Sequence, residues 1–415
     1  MTRRGLLAAA AASAGGAVLA AVPVVAGQGT TSGQPVAADS LEVPVDPTAR
    51  PGPPTSALGA RSPFERPARV PTGAISGSSM TPLHLLAGTI TPSDLVFERH
   101  HAGVALIDPA RYQLLIHGLV DRPTIITLDD LRRLPSISRT VFLECSGNGR
   151  AAFRNPRREM TPQALDGLTS NGEWTGVALT TLFREVGVRR GASWLRAEGG
   201  DAARLSRSIP MEKGMDDAMV AYAFNGEPLR PANGYPARLL LPGFEGNTCV
   251  KWLRRIEVAD GPGMFRDETS KYTDPLANGT SRQFSFVMDA KSLITTPAYP
   301  TRLAGPGWIQ ITGLAWSGRG RIERVDVSVD GGRAWMQAEL QEPVLPVAHT
   351  RFRMMWRWDG SRVTIASRAT DETGYVQPTL TEFREQRGSG TDYHFNYIRG
   401  WVIDPDGQVS FAAGS

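Results

Sequence analysis

Cysteine is scarce in this chain, whose 415 residues contain only two, Cys145 and Cys249. Two thiols cannot build a disulfide scaffold, a four-thiolate zinc site or a cysteine-ligated iron–sulfur cluster. The run C-x-x-C-H is also missing, which excludes a covalently attached c-type haem on this chain. These absences remove the commonest cysteine-based sites and leave open what either thiol does.

Lysine is scarce as well, because only four of the 45 basic residues are lysine and the remaining 41 are arginine. The formal net charge of +4 falls to +2 once Arg3 and Arg4, in a segment that we expect to be removed, are discounted. So small an excess gives no reason to expect nucleic acid as a partner. The length exceeds what one hydrophobic core usually serves, so we expect about two domains.

The first 26 residues are typical of a secretion signal. Arg3 and Arg4 precede an Ala-rich apolar run, and the small residues before Gly27 suit cleavage after Ala26. Paired arginines in this position are the twin-arginine signature, whose export route carries folded proteins. We therefore expect a twin-arginine signal peptide and a periplasmic protein. The alternative is a membrane anchor, since Gly5–Val25 is long enough to span a bilayer.

The remaining chain divides into three parts by composition. Residues 27–74 are rich in Pro, Gly and Ser and predict a linker or surface arm. Residues 75–284 alternate helix and strand signals and predict a mixed α/β domain. Its predicted elements are strands at Tyr112–Gly118, Val141–Glu144, Arg238–Leu241 and Val250–Ile256, a helix capped by Thr127, and a second capped helix from Leu179 to a stop at Gly187.

Residues 285–415 predict an antiparallel β-sandwich of immunoglobulin-like size. Apolar and polar residues alternate in Ile309–Gly313, in Val325–Val329 and again from Phe352 to Trp356. Asp330 and two glycines supply a turn between such strands. Short alternating strands with regular turns are typical of a sandwich. The fold class predicted for the whole chain is therefore α+β.

Cys145 is the first candidate for chemistry. It follows a predicted strand and opens the loop Ser146–Gly149, whose glycines allow a close approach by a bulky group. A thiolate is a soft metal ligand, but a free cysteine is also often a small buried apolar residue. A cysteine–histidine hydrolase stays open too, because it needs only this thiol and one of six histidines.

Several ordered motifs, from about Met80 to Gly407, resemble the sulfite oxidase family of molybdenum enzymes. The flanks Thr81–His84 and Thr89–Pro92 look most like its bacterial Sox-type sulfite or sulfane dehydrogenase subunit. The motifs that carry the resemblance are Phe97-Glu-Arg-His-His101, Phe142-Leu-Glu-Cys-Ser-Gly-Asn148, Gly234-Tyr-Pro-Ala-Arg238, Val250-Lys-Trp252 and Lys271-Tyr272.

The resemblance implies a role for each matching residue. Cys145 would give molybdenum its one protein thiolate, the other sulfurs coming from a molybdopterin dithiolene. Arg99 and Arg150 would hold an oxyanion, and Tyr272 would hydrogen-bond an oxygen at the metal or on the substrate. The residues implied to contact the cofactor are Phe97, Arg99, His100, His101, Cys145, Ser146, Asn148, Asp201, Asn233, Arg238, Cys249, Val250 and Lys251.

Two positions depart from the family pattern. Asn233 stands where vertebrate-type members have a histidine, so the pterin contact there must differ. The family's C-terminal substrate arginine has no clean counterpart, and either His394 or Arg399 could occupy that neighbourhood. Substrate preference is therefore the least determined property.

The resemblance implies oxidation of sulfite or of a protein-bound sulfane group. Electrons would pass to a separate c-type cytochrome, since this chain has no haem motif, and the sandwich would form a homodimer or a heterotetramer with a cytochrome subunit. One alternative is a sulfoxide reductase of the same superfamily. Another is a secreted binding protein in which Cys145 is inert.

Overall fold

The computed structural model of the protein describes Gly52 and residues 54–276 and 278–413. The predicted signal peptide and much of the predicted arm lie outside these residues. None of the helices within them has the length and apolarity needed to cross a membrane. In chain order these helices are α1 Leu128–Arg133, α2 Arg150–Arg154, α3 Pro162–Asp166, α4 Leu179–Val186, α5 Met211–Asp216, α6 Arg266–Thr269 and α7 Leu380–Arg387.

Fifteen of the described strands precede residue 285. They are β1 Val70–Pro71, β2 Ser78–Met80, β3 Glu98–Arg99, β4 Gln113–Gly118, β5 Thr124–Thr127, β6 Ser136–Glu144, β7 Thr169–Ala178, β8 Trp194–Gly199, β9 Ser206–Pro210, β10 Met219–Phe224, β11 Glu227–Pro228, β12 Arg238–Leu240, β13 Leu253–Ala259, β14 Asp274–Pro275 and β15 Ser281–Arg282.

Two five-stranded sheets form the centre of this first part. One has the order β11-β10-β7-β6, with β12 also paired to β10, and the other has the order β5-β4-β13-β8-β9. The pairing of β13 with β4 is parallel, whereas the other pairings in these two sheets are antiparallel. A small sheet of β1, β2 and β3 brings Arg99 beside them.

The second part is a sandwich of two antiparallel sheets, as predicted. Its sheets have the orders β16-β17-β21-β20 and β19-β18-β22-β23-β24. The strands are β16 Lys291–Thr296, β17 Gly307–Trp316, β18 Ile322–Ser328, β19 Met336–Gln337, β20 Glu339–Gln341, β21 Thr350–Trp358, β22 Val363–Asp371, β23 Gly400–Ile403 and β24 Val409–Phe411. The α+β class predicted from the sequence is therefore confirmed.

Local signals account for several of these elements. Thr127 and Asp130 form a reciprocal capping box at the start of α1, each side chain accepting the other's backbone N–H. Helix α4 buries four apolar side chains on one face, Leu179, Leu182, Phe183 and Val186. Each such burial stabilises the fold by about 1.5–3 kcal/mol. Gly187 ends α4 in the left-handed conformation at φ +70°.

Three sequence-based expectations about these elements were wrong. Helix α4 has no side-chain cap, because its N-cap is Ala178. The strand expected from Val250 begins only at Leu253, since Trp252 has φ +52° and breaks the extended run. The folded part begins before Ile75, because Val70–Pro71 already pairs with β2.

The sandwich shares its hydrophobic core with the first part. Phe142, Ala152 and Leu165 belong to the same buried cluster as Trp316 and Phe352 of the sandwich. The packing is therefore continuous across the domain boundary predicted near residue 284. The position of that boundary stays a prediction.

Buried charges fasten the same junction. Lys291 of β16 is 1% exposed, and its Nζ lies 2.5 Å from Glu144 Oε1 and 3.5 Å from Asp166 Oδ1. Arg399 pairs with the other oxygen of Asp166, and Trp316 Nε1 donates to Glu144 Oε2 at 2.7 Å. Two carboxylates and two cations thus balance one another away from water, which is the condition for burying such groups.

Replacement of Lys291 by Met should destabilise the protein, because it leaves Glu144 charged and buried with no cation. Breaking a buried pair on one side typically costs about 3–5 kcal/mol, and the loss is measurable by guanidinium unfolding. Combining Lys291→Met with Glu144→Gln should recover part of that loss.

The matched control is Arg353→Met, whose ion pair with Glu339 at 2.7 Å is half-exposed. Its loss should cost less than about 1 kcal/mol. Equal stabilities for Lys291→Met and Arg353→Met would show that the buried pair does not hold the junction.

Candidate functional site

An inner cavity of about 680 Å³ collects most of the predicted site residues. It draws on segments from β3, the end of β6, the turn between β8 and β9, and the loops around β12 and before β14. The predicted residues that line it are Phe97, Arg99, His100, His101, Cys145, Asp201, Asn233, Arg238, Cys249, Lys251 and Tyr272. Residues far apart in the sequence therefore converge on one space.

The loop that carries Cys145 is held by buried hydrogen bonds. The backbone N–H of Cys145 donates to Leu168 O at 2.9 Å, and Asn148 Oδ1 accepts from Leu168 N at 3.0 Å. Asn148 Nδ2 donates to Glu144 Oε1 at 2.9 Å, which closes the loop on itself. Gly149 turns the chain into α2 with φ +93°, a conformation that favours glycine. The thiol is therefore displayed from a fixed backbone.

The surroundings of Cys145 act on the pKa of its thiol in both directions. Burial raises its pKa, although a hydrogen bond from Gly147 and the charges of Arg99 and Arg150 work against that rise. Among the described residues, no group of three or more His, Cys, Asp or Glu side chains could hold a metal ion. A metal at Cys145 would have to bring most of its ligands with it.

Three basic side chains at the inner cavity lack an acidic partner. Among the described residues, no carboxylate forms an ion pair with Arg99, Arg238 or Lys251. Arg238 is 2% exposed, and its Nη atoms donate to Asn233 O at 3.0 Å and Cys249 O at 2.7 Å while its Nε has no partner. Burial lowers its pKa to about 10. Buried charge of this kind favours an anionic occupant.

Lys251 points the same way. Its Nζ lies 2.8 Å from His100 Nδ1 and donates to Arg99 O and Ala232 O, each at 3.1 Å. Burial, and after it the charge of Arg238, lowers the pKa of Lys251 well below its usual range. An anion in the cavity would reverse part of that effect.

An outer cleft of about 1270 Å³ meets the inner cavity at Cys145. Arg99, His101, Cys145 and Tyr272 line both spaces. The outer cleft adds further cationic and aromatic side chains, which are Arg150, Arg154, Lys271 and Tyr393. Its lining contains no carboxylate among the described residues, so it is suited to an anion.

Tyr272 and His101 form a pair at this meeting point. Tyr272 Oη lies 2.9 Å from His101 Nε2. Burial, followed by the charge of Arg99, lowers the pKa of His101 to about 4, so the ring is neutral at pH 7. Burial, followed by the Cys145 charge, raises the pKa of Tyr272, so its phenol stays protonated.

Other predicted site residues lie elsewhere. Ser146 lines the outer cleft, whereas Asn148 and Val250 line neither space. Asn148 fastens the cysteine loop, and Val250 packs in the hydrophobic core because its side chain is 1% exposed. Cys249 lies in a bend, directly before the predicted strand Val250–Ile256. Its thiol accepts a hydrogen bond from Leu241 N at 3.3 Å.

Neither residue considered for the C-terminal substrate arginine reaches the two spaces. Arg399 is 6% exposed and pairs with Asp166, and its Nη2 donates to Phe395 O at 2.7 Å. His394 is 3% exposed and lies 3.4 Å from Glu245. Both are used inside the protein, so neither faces a substrate in this structure.

Polar and aromatic residues at or beside the site were missed by sequence reasoning, and they include Arg154, Arg207, Asn247, Trp252, Lys271 and Tyr393. Trp252 and Lys271 lie within quoted motifs and could have been found there. Arg207 is one of 41 arginines, and Asn247 follows a common turn glycine, so no local signal distinguishes them.

Two family models match the chain. The oxidoreductase molybdopterin binding domain matches residues 101–265, and the Mo-co oxidoreductase dimerisation domain matches residues 282–399. Sulfite oxidase from Gallus gallus is 30% identical over 322 residues, covering 72% of this chain and 70% of the relative. The chain belongs to the sulfite oxidase family.

Other comparisons agree with this assignment. Mitochondrial sulfite oxidase from Mus musculus is 31% identical over 324 residues, which cover 71% of this chain but only 58% of that protein. The crystal structure of the sulfane dehydrogenase SoxCD from Paracoccus pantotrophus is similar with a TM-score of 0.78 and 43% identity, covering 92% of this chain and 95% of that one. Within the sulfite oxidase family, this chain is therefore of the Sox type.

The inner cavity fits the cofactor that this family binds. Molybdopterin is anionic and brings its own sulfur ligands, and the cavity offers unpaired cations beside Cys145, the one of its two lining cysteines that also lines the outer cleft. Arg238 Nε and Asp201 Oδ1 are buried without a hydrogen-bond partner, so each is free to contact the pterin. Arg238 and Lys251 would hold the anionic end, and Cys145 would ligate the metal.

The change Lys251→Met should reduce cofactor retention, because it removes a positive charge from the inner cavity while it leaves a side chain of similar volume. Charge-assisted hydrogen bonds are worth about 1.5–3 kcal/mol, so binding should weaken at least about tenfold. Molybdenum per chain by mass spectrometry and pterin fluorescence after release would measure it.

Arg254→Met is the matched control, since Arg254 is a near neighbour whose half-exposed side chain pairs with Glu198 at 2.8 Å outside the cavity. Full molybdenum and pterin content in both variants would contradict the assignment of this cavity to the cofactor.

Proposed function

We propose that this chain is a molybdenum oxidoreductase that oxidises sulfite or a sulfane-sulfur group and passes the electrons to a c-type cytochrome. The observation that carries the proposal is the position of Cys145, where a cationic inner cavity meets a cationic outer cleft. One space suits a resident anion and the other an anion that comes and goes. The likeness to sulfite oxidases and to a sulfane dehydrogenase supports the direction of the reaction.

The bound cofactor supplies two-electron redox chemistry and oxygen-atom transfer. Cys145 would supply the protein thiolate that holds the metal, and a bound cation would favour the deprotonated form over the thiol that burial stabilises. Hydrogen bonds among Cys145, Leu168, Asn148 and Glu144 fix the backbone beside it. The sulfur is thereby presented in one orientation.

The outer cleft binds and orients the substrate anion. Arg150 is half-exposed, and its Nη2 donates to Asp392 O at 2.7 Å, which holds the guanidinium at the cleft. Arg99 and Lys271 line the same space beside Cys145. Guanidinium groups stay charged and present paired donors, so they suit a sulfur oxyanion.

Tyr272 and His101 can hold or transfer a proton beside the oxygen that reacts. Tyr272 Oη is held by His101 Nε2 at 2.9 Å, and both side chains face the two spaces. A neutral imidazole can accept a hydrogen bond from the phenol, so the pair can hold or move one proton at Tyr272 Oη. The phenol would stabilise charge that develops there.

A sulfoxide reductase of the same superfamily is the second candidate. The cationic cleft argues against it, because a neutral sulfoxide gains little from Arg99, Arg150 and Lys271. The match of residues 282–399 to the dimerisation domain also favours the oxidase branch. A binding protein with an inert Cys145 fits less well, since this thiol lines both spaces.

The partners and location form part of the proposal. The sandwich would mediate a homodimer, or a heterotetramer with a cytochrome subunit, in keeping with the dimerisation domain and the SoxCD likeness. Arg3 and Arg4 support export to the periplasm by the twin-arginine route.

The double change Arg3→Lys and Arg4→Lys should retain the precursor in the cytoplasm, which cell fractionation would show. Periplasmic protein from that variant would refute the route.

Purified protein loaded with molybdopterin should reduce a c-type cytochrome when sulfite or a sulfane-bearing protein is added. Cys145→Ser should lose at least about 10²-fold of that rate, because an alcohol replaces the thiolate at the metal. Stopped-flow absorbance of the cytochrome measures the rate.

Metal content and reverse activity separate the alternatives. Molybdenum far below about one atom per chain after loading would reject the enzyme reading. Reduction of a sulfoxide with no response to sulfite or sulfane sulfur would reverse the proposed direction.

A further inference from the structure

A buried arginine lies against the ring of Tyr272. Arg207, in strand β9, is 1% exposed, and its guanidinium carbon lies 4.8 Å from the centroid of the Tyr272 ring. The hydroxyl of the same ring bonds to His101 at the meeting of the two spaces. Arg207 itself lines neither space, so it can affect the site only through its neighbours.

Two hydrogen bonds and a longer ion-pair contact hold the Arg207 guanidinium. Nη2 donates to Glu245 Oε1 at 3.1 Å and Nη1 donates to Asn247 Oδ1, whereas Nε lies 3.5 Å from Glu268 Oε1 without a hydrogen bond. Glu245 and Glu268 are 2% and 1% exposed. A planar guanidinium held by buried acceptors has little freedom to rotate, so the plane of the group keeps one orientation.

The same network reaches the cysteine loop. Asn247 Nδ2 donates to Ser146 Oγ at 3.1 Å, and the backbone N–H of His394 donates to Ser146 O at 2.7 Å. His394 Nε2 lies 3.4 Å from Glu245 Oε2, the second oxygen of the carboxylate that holds Arg207. Ser146 directly follows Cys145, so a short chain of buried contacts joins the tyrosine ring to the residue after the metal ligand.

We propose that Arg207 is a positioning residue, which holds the Tyr272 ring at a fixed place relative to Cys145. This inference rests on the proposed function. Arg207 also places a positive charge against the ring of Tyr272. Neither His394 nor Arg399 extends into the outer cleft. The role differs from a purely structural ion pair, in which Arg207 would only neutralise Glu245 and Glu268.

A double-mutant cycle separates positioning from structure. Arg207→Lys keeps the charge but loses the planar fork, and it should lower kcat about tenfold with little change in KM, since misplacement by about 1 Å can cost 10²-fold. In the Tyr272→Phe background, the same change should lower kcat less than about twofold. An equal loss in both backgrounds would overturn the proposal.

Arg196→Lys is the matched control. Arg196 lies on the neighbouring strand β8, pairs with Glu257 at 3.0 Å and lines neither space. It should leave kcat, KM and the molybdenum content unchanged. A tenfold loss in this control as well would mean that kcat reports general disturbance of the sheet, and the positioning role would be rejected.

A second readout does not depend on turnover. The chain has eight tyrosines, and with 3-fluorotyrosine labelling the resonance of Tyr272 is the one lost in Tyr272→Phe. Arg207→Lys should shift or broaden this signal, together with that of Tyr393, whose ring lies 5.2 Å away. An unchanged Tyr272 signal would refute positioning. A shifted signal in protein that oxidises neither sulfite nor sulfane sulfur would leave positioning intact and refute the proposed function.

Loss of folding is covered by a second variant. Arg207→Met combined with Glu245→Gln and Glu268→Gln removes all three charges of the buried cluster, a replacement that proteins often tolerate. If Arg207→Lys does not fold, this triple variant should bind molybdenum normally, shift the Tyr272 signal and lower kcat about tenfold. Normal kcat and an unshifted signal in the triple variant would refute the proposal.

Discussion

The carboxylate of Glu144 is the interaction on which the rest of the site depends. It accepts hydrogen bonds from Lys291 and Trp316 of the sandwich and from Asn148 of its own loop. Because it immediately precedes Cys145, every force on this carboxylate acts on the backbone that carries the thiol. The dimerisation domain thus contributes directly to the active-site loop, and the two domains cannot be treated as a catalytic part with a separate handle.

Charge explains why two spaces meet at that loop. The inner cavity contains Arg238 and Lys251 without acidic partners, and burial lowers the pKa of both. Folding such cations without an anion is costly, so the empty fold is poised to gain stability when a resident anion binds. The outer cleft keeps Arg150 half-exposed, which suits an anion that must also leave. The same chemistry at two depths is therefore consistent with the proposed division into a cofactor site and a substrate site.

Sequence predicted the features that depend on local signals. The capping box at Thr127, the alternation through β21 and the strand-to-loop position of Cys145 each follow from neighbouring residues. Arg207 and Asn247 could not be predicted, since their roles arise from contacts with residues 38 or more positions away. The strand predicted from Val250 begins only at Leu253, because the backbone at Trp252 has φ +52°, which no local signal indicated.

The two cysteines differ by environment and not by any intrinsic property. Cys249 is 1% exposed, and its sulfur already accepts a hydrogen bond from Leu241 N, so it is satisfied within the fold. Cys145 stands half-buried beside two spaces, with a raised pKa and cations around it. A single thiol in that setting can hold a metal only if the metal arrives with other sulfur ligands, as it does in molybdopterin. The scarcity of cysteine is thus compatible with the proposed cofactor, which would require only one protein thiolate.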